Sequence, residues 1–373
     1  MIDRRWRLKR YPQAVLLALL AGWAFAVAVG SDKPADTGLL GGDYPAFYVA
    51  GSIVNEGLAD RLYDFELQAS MQADLVPDGF LPFAYPPFAA AAYAPLALLP
   101  YRTSYALFTI ISFSALALAI WLLRPITPLV RDYPWIAMAG AALFYPMLRA
   151  IIGGQNTVIS LLIVVGTWRL IRADRNFTAG IVLSLLAFKP QFLLPILGVV
   201  WLARKHRAVY GCLAGIGVLY FAGVALTGWS WPIDWWSEAT SFALANDAVN
   251  GLNFVTWHQL ALWLDVEPAW IALSSVTAGW IAWTAYRHGR SDLSGVLAMT
   301  LPGAVLLAPH ALFYDVGLAL PSLFILADRR NGRVAVVLWI AGLTHLLGSA
   351  LGFNPLIFLL LFMVIATRKS IRS

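Results

Sequence analysis

The sequence predicts an all-α, polytopic membrane protein of about twelve transmembrane helices, and three observations predict it. Hydrophobic residues fill 60% of the 373 positions and charged residues 12%, against roughly 45–50% and about 25% in soluble domains. Apolar runs recur along the whole chain, at 13–30, 102–123, 135–148, 157–171, 208–227, 269–286, 293–308, 334–351 and 356–367. Several approach the roughly 20 residues that cross a hydrocarbon core. The cations, finally, sit in small clusters between these runs.

The first ten residues, MIDRRWRLKR, precede an apolar run at 14–29 and resemble a signal peptide, with Ala24-Phe25-Ala26 as a cleavage-like triplet. The run is long for such a signal and many spans follow it, so a retained first helix is expected. On either reading the next segment lies outside. The net charge of +6 forms neither a patch nor an aromatic-interleaved groove, so no nucleic-acid partner is expected. Cys212, the single cysteine, lies in an apolar run and is expected to pack.

Cationic clusters fall at Arg4 to Arg10, Arg124 with Arg131, Arg169 to Arg175, Arg204 to Arg207, Arg287 with Arg290, Arg329 to Arg333 and Arg368 to Arg372. They hold all of the 26 Lys and Arg residues except Lys33, Arg61, Arg102, Arg149 and Lys189. If all seven clusters are cytoplasmic, two crossings separate each from the next. The run at 86–99 would break this parity. It carries prolines at 86, 87 and 95, with Pro100 directly after it, and would reach only about 20 Å as a helix, so it is expected to be re-entrant or juxtamembrane. Twelve crossings remain, with both termini cytoplasmic, forming one transmembrane domain over 1–373 in a cell's inner membrane. Two external loops are large, 31–101 and 228–268, and the first is acidic, with nine Asp and Glu between Asp32 and Asp78. Loops of this length in a bundle are usually functional or disordered. Trp229, Trp231, Trp235, Trp236 and Trp257 favour packing at the interface.

The outward segments carry the candidate chemistry. Asp43 follows Gly41-Gly42 and precedes Tyr44-Pro45-Ala46-Phe47-Tyr48; its simplest role is a turn or an N-cap. Leu62-Tyr63-Asp64 and Phe83-Ala84-Tyr85-Pro86-Pro87 follow. Gly153-Gly154-Gln155-Asn156 marks a helix junction whose amides can satisfy loose backbone groups. Ala187-Phe188-Lys189-Pro190-Gln191 forms the tip of a hairpin with about 13 residues per arm, or about 20 Å, which sinks Lys189 within the bundle. An intramembrane lysine is costly unless it is paired or faces water. His310, Tyr314 and Asp315 stand at another outer junction, and Arg149 follows Tyr145-Pro146. A carboxylate, a few cations and many aromatics suit a substrate with a phosphate, a sugar and a lipid tail. Lys189 or Arg149 would meet the phosphate, and a carboxylate would take a proton from an attacking hydroxyl. Tyr44, Tyr48, Asp64, Tyr85, Gln155, Asn156, Gln191, Tyr314 and Asp315 are the candidates to line the substrates.

No glycine-rich phosphate loop, GxSxG elbow, HExxH or CxxC pattern is present. The cytoplasmic segments are too short for a nucleotide sugar, which favours a lipid-linked donor on the other side. An Asp after the first helix, then LYD, YPP with PLALLP, GQN and a KPQ hairpin ending in a basic turn together resemble glycosyltransferase family 87. The likeness is strongest from Gly41 to Arg207. It implies the GT-C fold and an inverting transfer of mannose or another sugar from a polyprenyl-phosphate donor to a glycolipid or glycan acceptor. It also implies Asp43 as general base, Lys189 as the lysine after an outer helix end, and His310 as a contact to the donor phosphate. Asp43 lacks the second acid that many GT-C enzymes carry, so neither metal nor other cofactor is expected. A lipid-linked sugar flippase or transporter and a surface-polysaccharide polymerase or ligase are the competing readings. No internal repeat supports a transporter.

Overall fold

A computed structural model describes residues 4–29, 40–76, 81–329 and 332–371. Lys33, Arg330 and Arg372, and with them part of the segment expected to be the first external loop, lie outside the described residues. All regular structure among the described residues is helical.

α1 (Arg4–Val29) holds the first apolar run behind its basic turn. Among the described residues, four helices are long and apolar enough to cross a membrane: Arg7–Ala28 within α1, α5 (Tyr101–Leu123), α12 (His206–Thr227) and Gly332–Leu351. The rest of the chain uses shorter pieces, several of them matching the apolar runs. α7 (Pro134–Leu143) and α8 (Tyr145–Ile152) meet at a bend of 70°, because Pro146 in the first turn of α8 offers no N–H to continue the ladder. The hairpin with Lys189 at its tip has the expected arms, Asn176–Phe188 and Pro190–Leu202, each of 13 residues.

Between α1 and α5 the chain builds α2 (Tyr44–Asn55), α3 (Phe65–Gln72) and α4 (Pro87–Ala97). α4, the core of the run that broke parity, has 11 residues and rises only about 16 Å. Two fully buried glutamines one turn apart on α3 hold the strap that leads into it. Gln68 Nε2 donates to Leu62 O at 2.7 Å and Gln68 Oε1 accepts from Phe83 N at 2.8 Å. Gln72 exchanges both of its amide bonds with Leu81 at 2.9 Å. Side-chain amides thus do for this extended backbone what a neighbouring strand would do, and Tyr85 is fixed beyond it. The elements close around an aromatic core of Tyr44, Phe47, Phe83, Tyr93, Tyr105 and Phe108.

α6 (Pro128–Asp132) precedes α7. α9 (Thr157–Arg172), α10 (Asn176–Ser184), α11 (Pro190–Leu202), α15 (Ala269–His288), α16 (Leu293–Leu307), α17 (Leu320–Arg329) and α20 (Leu356–Arg368) supply the large apolar core. α18 (Gly332–Ala341) and α19 (Gly348–Leu351) belong to the Gly332–Leu351 stretch. α10 and α12 approach through small residues: a Cβ on Gly180 or Gly211 would strike the backbone of Ala208 or Phe177, the close-packing device of apolar helix pairs. In the segment expected to be the second large external loop, α13 (Trp231–Asn250) and α14 (Trp257–Trp263) follow α12. Trp235 Nε1 donates to Ala84 O at 3.2 Å, and Phe254 bridges to Leu312, so this loop touches both the first loop and the segment around His310. Trp231 and Trp257 are buried, whereas Trp229 and Trp236 stay exposed.

Candidate active site

Two glycine turns bring distant segments together. Gly41, Gly42 and Gly154 have φ of 92°, 54° and 68°, a region that side chains disfavour. A Cβ on Gly154 would lie 2.7 Å from Gly41 O and 2.5 Å from the Cβ of Tyr44, and one on Gly42 3.0 Å from Gly153 Cα. The Asp43 N–H donates to Gly153 O at 3.0 Å across this contact. Asp43 occupies the N-cap position of α2, but its carboxylate makes no cap bond. It accepts instead from Gln155 Nε2 and from the Tyr314 hydroxyl. The N-cap role expected for it is therefore not what its side chain does.

The neighbouring residue Asp315 anchors a second cluster. Lys189, 3% exposed, donates from Nζ to Asp315 Oδ1 at 2.7 Å. Thr157 Oγ1 donates to the same oxygen at 2.9 Å and the Leu312 N–H to Oδ2 at 3.3 Å. Consecutive side chains, Tyr314 and Asp315, thus join the Asp43 and Lys189 clusters. The Tyr85 hydroxyl meets the Asn156 amide between them. Two buried acceptors here, Gln155 Oε1 and Asn156 Oδ1, have no hydrogen-bond partner among the described residues. Buried carbonyl oxygens are normally satisfied, so these two call for a donor from outside the chain. The sequence reading gave these amides to loose backbone groups; Gln155 serves a carboxylate instead.

Burial pushes the Asp43 carboxyl above its ordinary range, opposed by the Gln155 hydrogen bond, the Arg149 charge, the Tyr314 hydrogen bond and the Lys189 charge, in that order. A carboxylate made more basic in this way is a better proton acceptor near neutral pH. His310 packs against Phe254 at 4.5 Å between ring centroids. Burial lowers its pKa to about 4, so the ring is neutral at physiological pH. Arg149 is exposed at the last turn of α8 and is near enough for its charge to act on Asp43. Among the described residues, no three His, Cys, Asp or Glu side chains gather.

The sequence profile of glycosyltransferase family 87 matches residues 83–313, well over half of the chain. The chain belongs to that family. It is a membrane glycosyltransferase, as the resemblance implied. No curated protein and no solved structure matches it. The matched segment contains Tyr85, Arg149, Gln155, Asn156, Lys189, Gln191 and His310, while Asp43 precedes it and Tyr314 and Asp315 follow it.

Of the residues read from the sequence of this glycosyltransferase, the structure gathers Asp43, Tyr85, Arg149, Gln155, Asn156, Lys189, His310, Tyr314 and Asp315. Others lie elsewhere. Tyr44 is buried in the aromatic core with its hydroxyl 2.6 Å from Ser104 Oγ, so it does not line a space beside Asp43. Tyr48 donates to Leu99 O at 2.9 Å. Asp64 caps α3 by accepting from Leu67 N at 3.0 Å and pairs with Arg61 at 2.6 Å. Gln191 is half-buried in the first turn of α11. Thr157, which helps to hold Asp315, escaped the sequence reading; its only signal was a hydroxyl directly after the GQN junction.

Proposed function

We propose that this enzyme transfers a sugar from a polyprenyl-phosphate donor to an extracytoplasmic glycolipid or glycan, with inversion and with Asp43 as general base. The observation that carries this reading is an acid at a helix start whose carboxylate caps nothing. It is held by Gln155 and Tyr314 and made more basic by burial. Attack by an acceptor hydroxyl on the anomeric carbon needs its proton removed as the new bond forms. The phosphate departs from the opposite face, which inverts the centre. The unpartnered Gln155 Oε1 and Asn156 Oδ1 would take hydrogen bonds from sugar hydroxyls. Arg149 supplies charge for the donor phosphate, Lys189 offers the two ammonium protons that Asp315 leaves over, and neutral His310 adds a hydrogen bond.

The test is transfer itself. Purified protein incubated with a lipid extract and labelled polyprenyl-phosphate sugars should move label to a new acceptor as the opposite anomer, and labelled nucleotide sugars should not substitute. Label that crosses a vesicle membrane without covalent transfer would make the protein a transporter.

The topology belongs to the same proposal: twelve crossings, α4 not among them, both termini in the cytoplasm and the Asp43 site outside. A cysteine in place of Arg102, at the start of α5, should react with an impermeant thiol reagent from outside in a Cys212→Ser background. Reaction only after the cytoplasmic face is opened would reverse the assignment.

A further inference from the structure

α9 starts at Thr157, against Asp315, and ends at Arg172, about 24 Å away along its axis. At that far end a cavity of about 690 Å³ opens where α5, α9, α11, α15 and α17 finish. Its volume falls within the roughly 300–1,000 Å³ of small-molecule sites. Six cations line it, Arg124, Arg131, Arg172, Lys205, Arg290 and Arg329, against three acids, Asp174, Asp292 and Asp328.

The acids are already engaged. Asp292 takes two hydrogen bonds from Arg329, one of them at 2.7 Å, and also caps α16 through Gly295 N at 2.9 Å. Asp328 accepts from Leu129 N at 2.8 Å. Asp174 accepts from Asn176 at 2.7 Å. Arg131 is likewise committed, to Asp132 at 2.8 Å.

Four cations remain. Among the described residues, Arg124, Arg172, Lys205 and Arg290 have no carboxylate in ion-pair reach, and Arg172 touches only Ser294 Oγ, at 3.4 Å. Cations at helix C-termini commonly serve the macrodipole and point apart into water. Four that line one cavity instead share a single volume in which one anion can reach several of them.

The level of the cavity suggests the anion's source. Trp121 and Trp201 are exposed on α5 and α11, in the manner of the aromatic belt that marks a membrane interface. Arg124 and Lys205 stand about one turn beyond them, at headgroup depth. Basic pockets between helices at this depth suit phosphate headgroups.

We propose that this cavity is a second binding site, distinct from the Asp43 site, that takes a phosphate-bearing anion on Arg124, Arg172, Lys205 and Arg290. The headgroup of an anionic phospholipid and a soluble oligophosphate share this chemistry. The site depends neither on Asp43 chemistry nor on which side of the membrane it faces.

Full-length protein in phosphatidylcholine nanodiscs decides it, with cardiolipin added to one series and inorganic pyrophosphate to another. Native mass spectrometry and the thermal midpoint are the readouts. Saturable binding with a raised midpoint is expected in at least one series: cardiolipin alone identifies a lipid site, pyrophosphate alone a soluble ligand, and both a site open to either. Arg124→Gln with Arg290→Gln should weaken that binding at least about tenfold, since two charge-assisted contacts are lost. Arg207→Gln with Arg287→Gln, which removes equal charge from outside the cavity, should leave it within about twofold. If the first pair fails to fold, Arg172→Gln and Lys205→Gln are tested singly, with the same direction expected. Absence of saturable binding in both wild-type series, or equal loss from the two variant pairs, overturns the proposal.

Discussion

Asp43→Asn is expected to express, fold and bind the donor normally, yet turn over at least about a hundredfold more slowly, because a general base contributes typically about 10²–10⁴-fold. Asparagine keeps the shape and can still accept from Gln155, but it has no basicity. Its thermal midpoint should be unchanged or higher. Burial raises the carboxyl above its ordinary range, so ionised Asp43 costs stability at every pH above that range, and the neutral amide removes the cost. The pH profile follows from the same shift. The base works when ionised, so wild-type turnover is full above the raised pKa and falls as pH drops through it, at a pH higher than an ordinary aspartate would set. The residual activity of Asp43→Asn should lack that limb. Near wild-type turnover would remove Asp43 from the mechanism and turn the search to Asp315, since Asp64 is occupied in capping α3.

Lys189→Met is expected to show the largest loss of stability. It would leave the Asp315 carboxylate buried with only Thr157 and the Leu312 N–H to hold it, and stranding one partner of a buried pair costs about 3–5 kcal/mol. Lys189→Met combined with Asp315→Leu removes both charges and should recover most of that loss, because apolar replacement of a whole buried pair is often neutral. Thermal unfolding of the two variants checks this. The double variant also separates the two roles of Lys189. If its ammonium meets the donor phosphate, the double variant folds but binds donor at least about tenfold more weakly, the scale of one lost charge-assisted contact. Unchanged donor affinity would confine Lys189 to holding the fold, and an unchanged midpoint in Lys189→Met would overturn the energetic reading of the pair.

The helical membrane class, the 13-residue arms of the hairpin, the burial of Lys189 and the short α4 were all legible in the sequence. Each rests on composition, run length or charge placement, which act over one helix or one hairpin. Glycosyltransferase family 87 was legible too, from the order of several short motifs. The partners were not. Gln155 lies 112 positions from Asp43 and Asp315 lies 126 from Lys189, and no local pattern reports an approach made by two glycine turns packed back to back. A buried lysine signals that some acid neutralises it, but several acids were available, and only packing chose Asp315. Tyr44 and Tyr48 look equivalent as letters beside Asp43. The phase of α2 in the assembled loop puts Tyr44 in the core and turns the Tyr48 hydroxyl to a backbone carbonyl. Sequence alone determined which chemical groups this enzyme carries and which helices and hairpins bear them. Tertiary structure alone decided which of them meet, because desolvation and hydrogen-bond pairing act between segments that only the folded bundle brings within 3 Å.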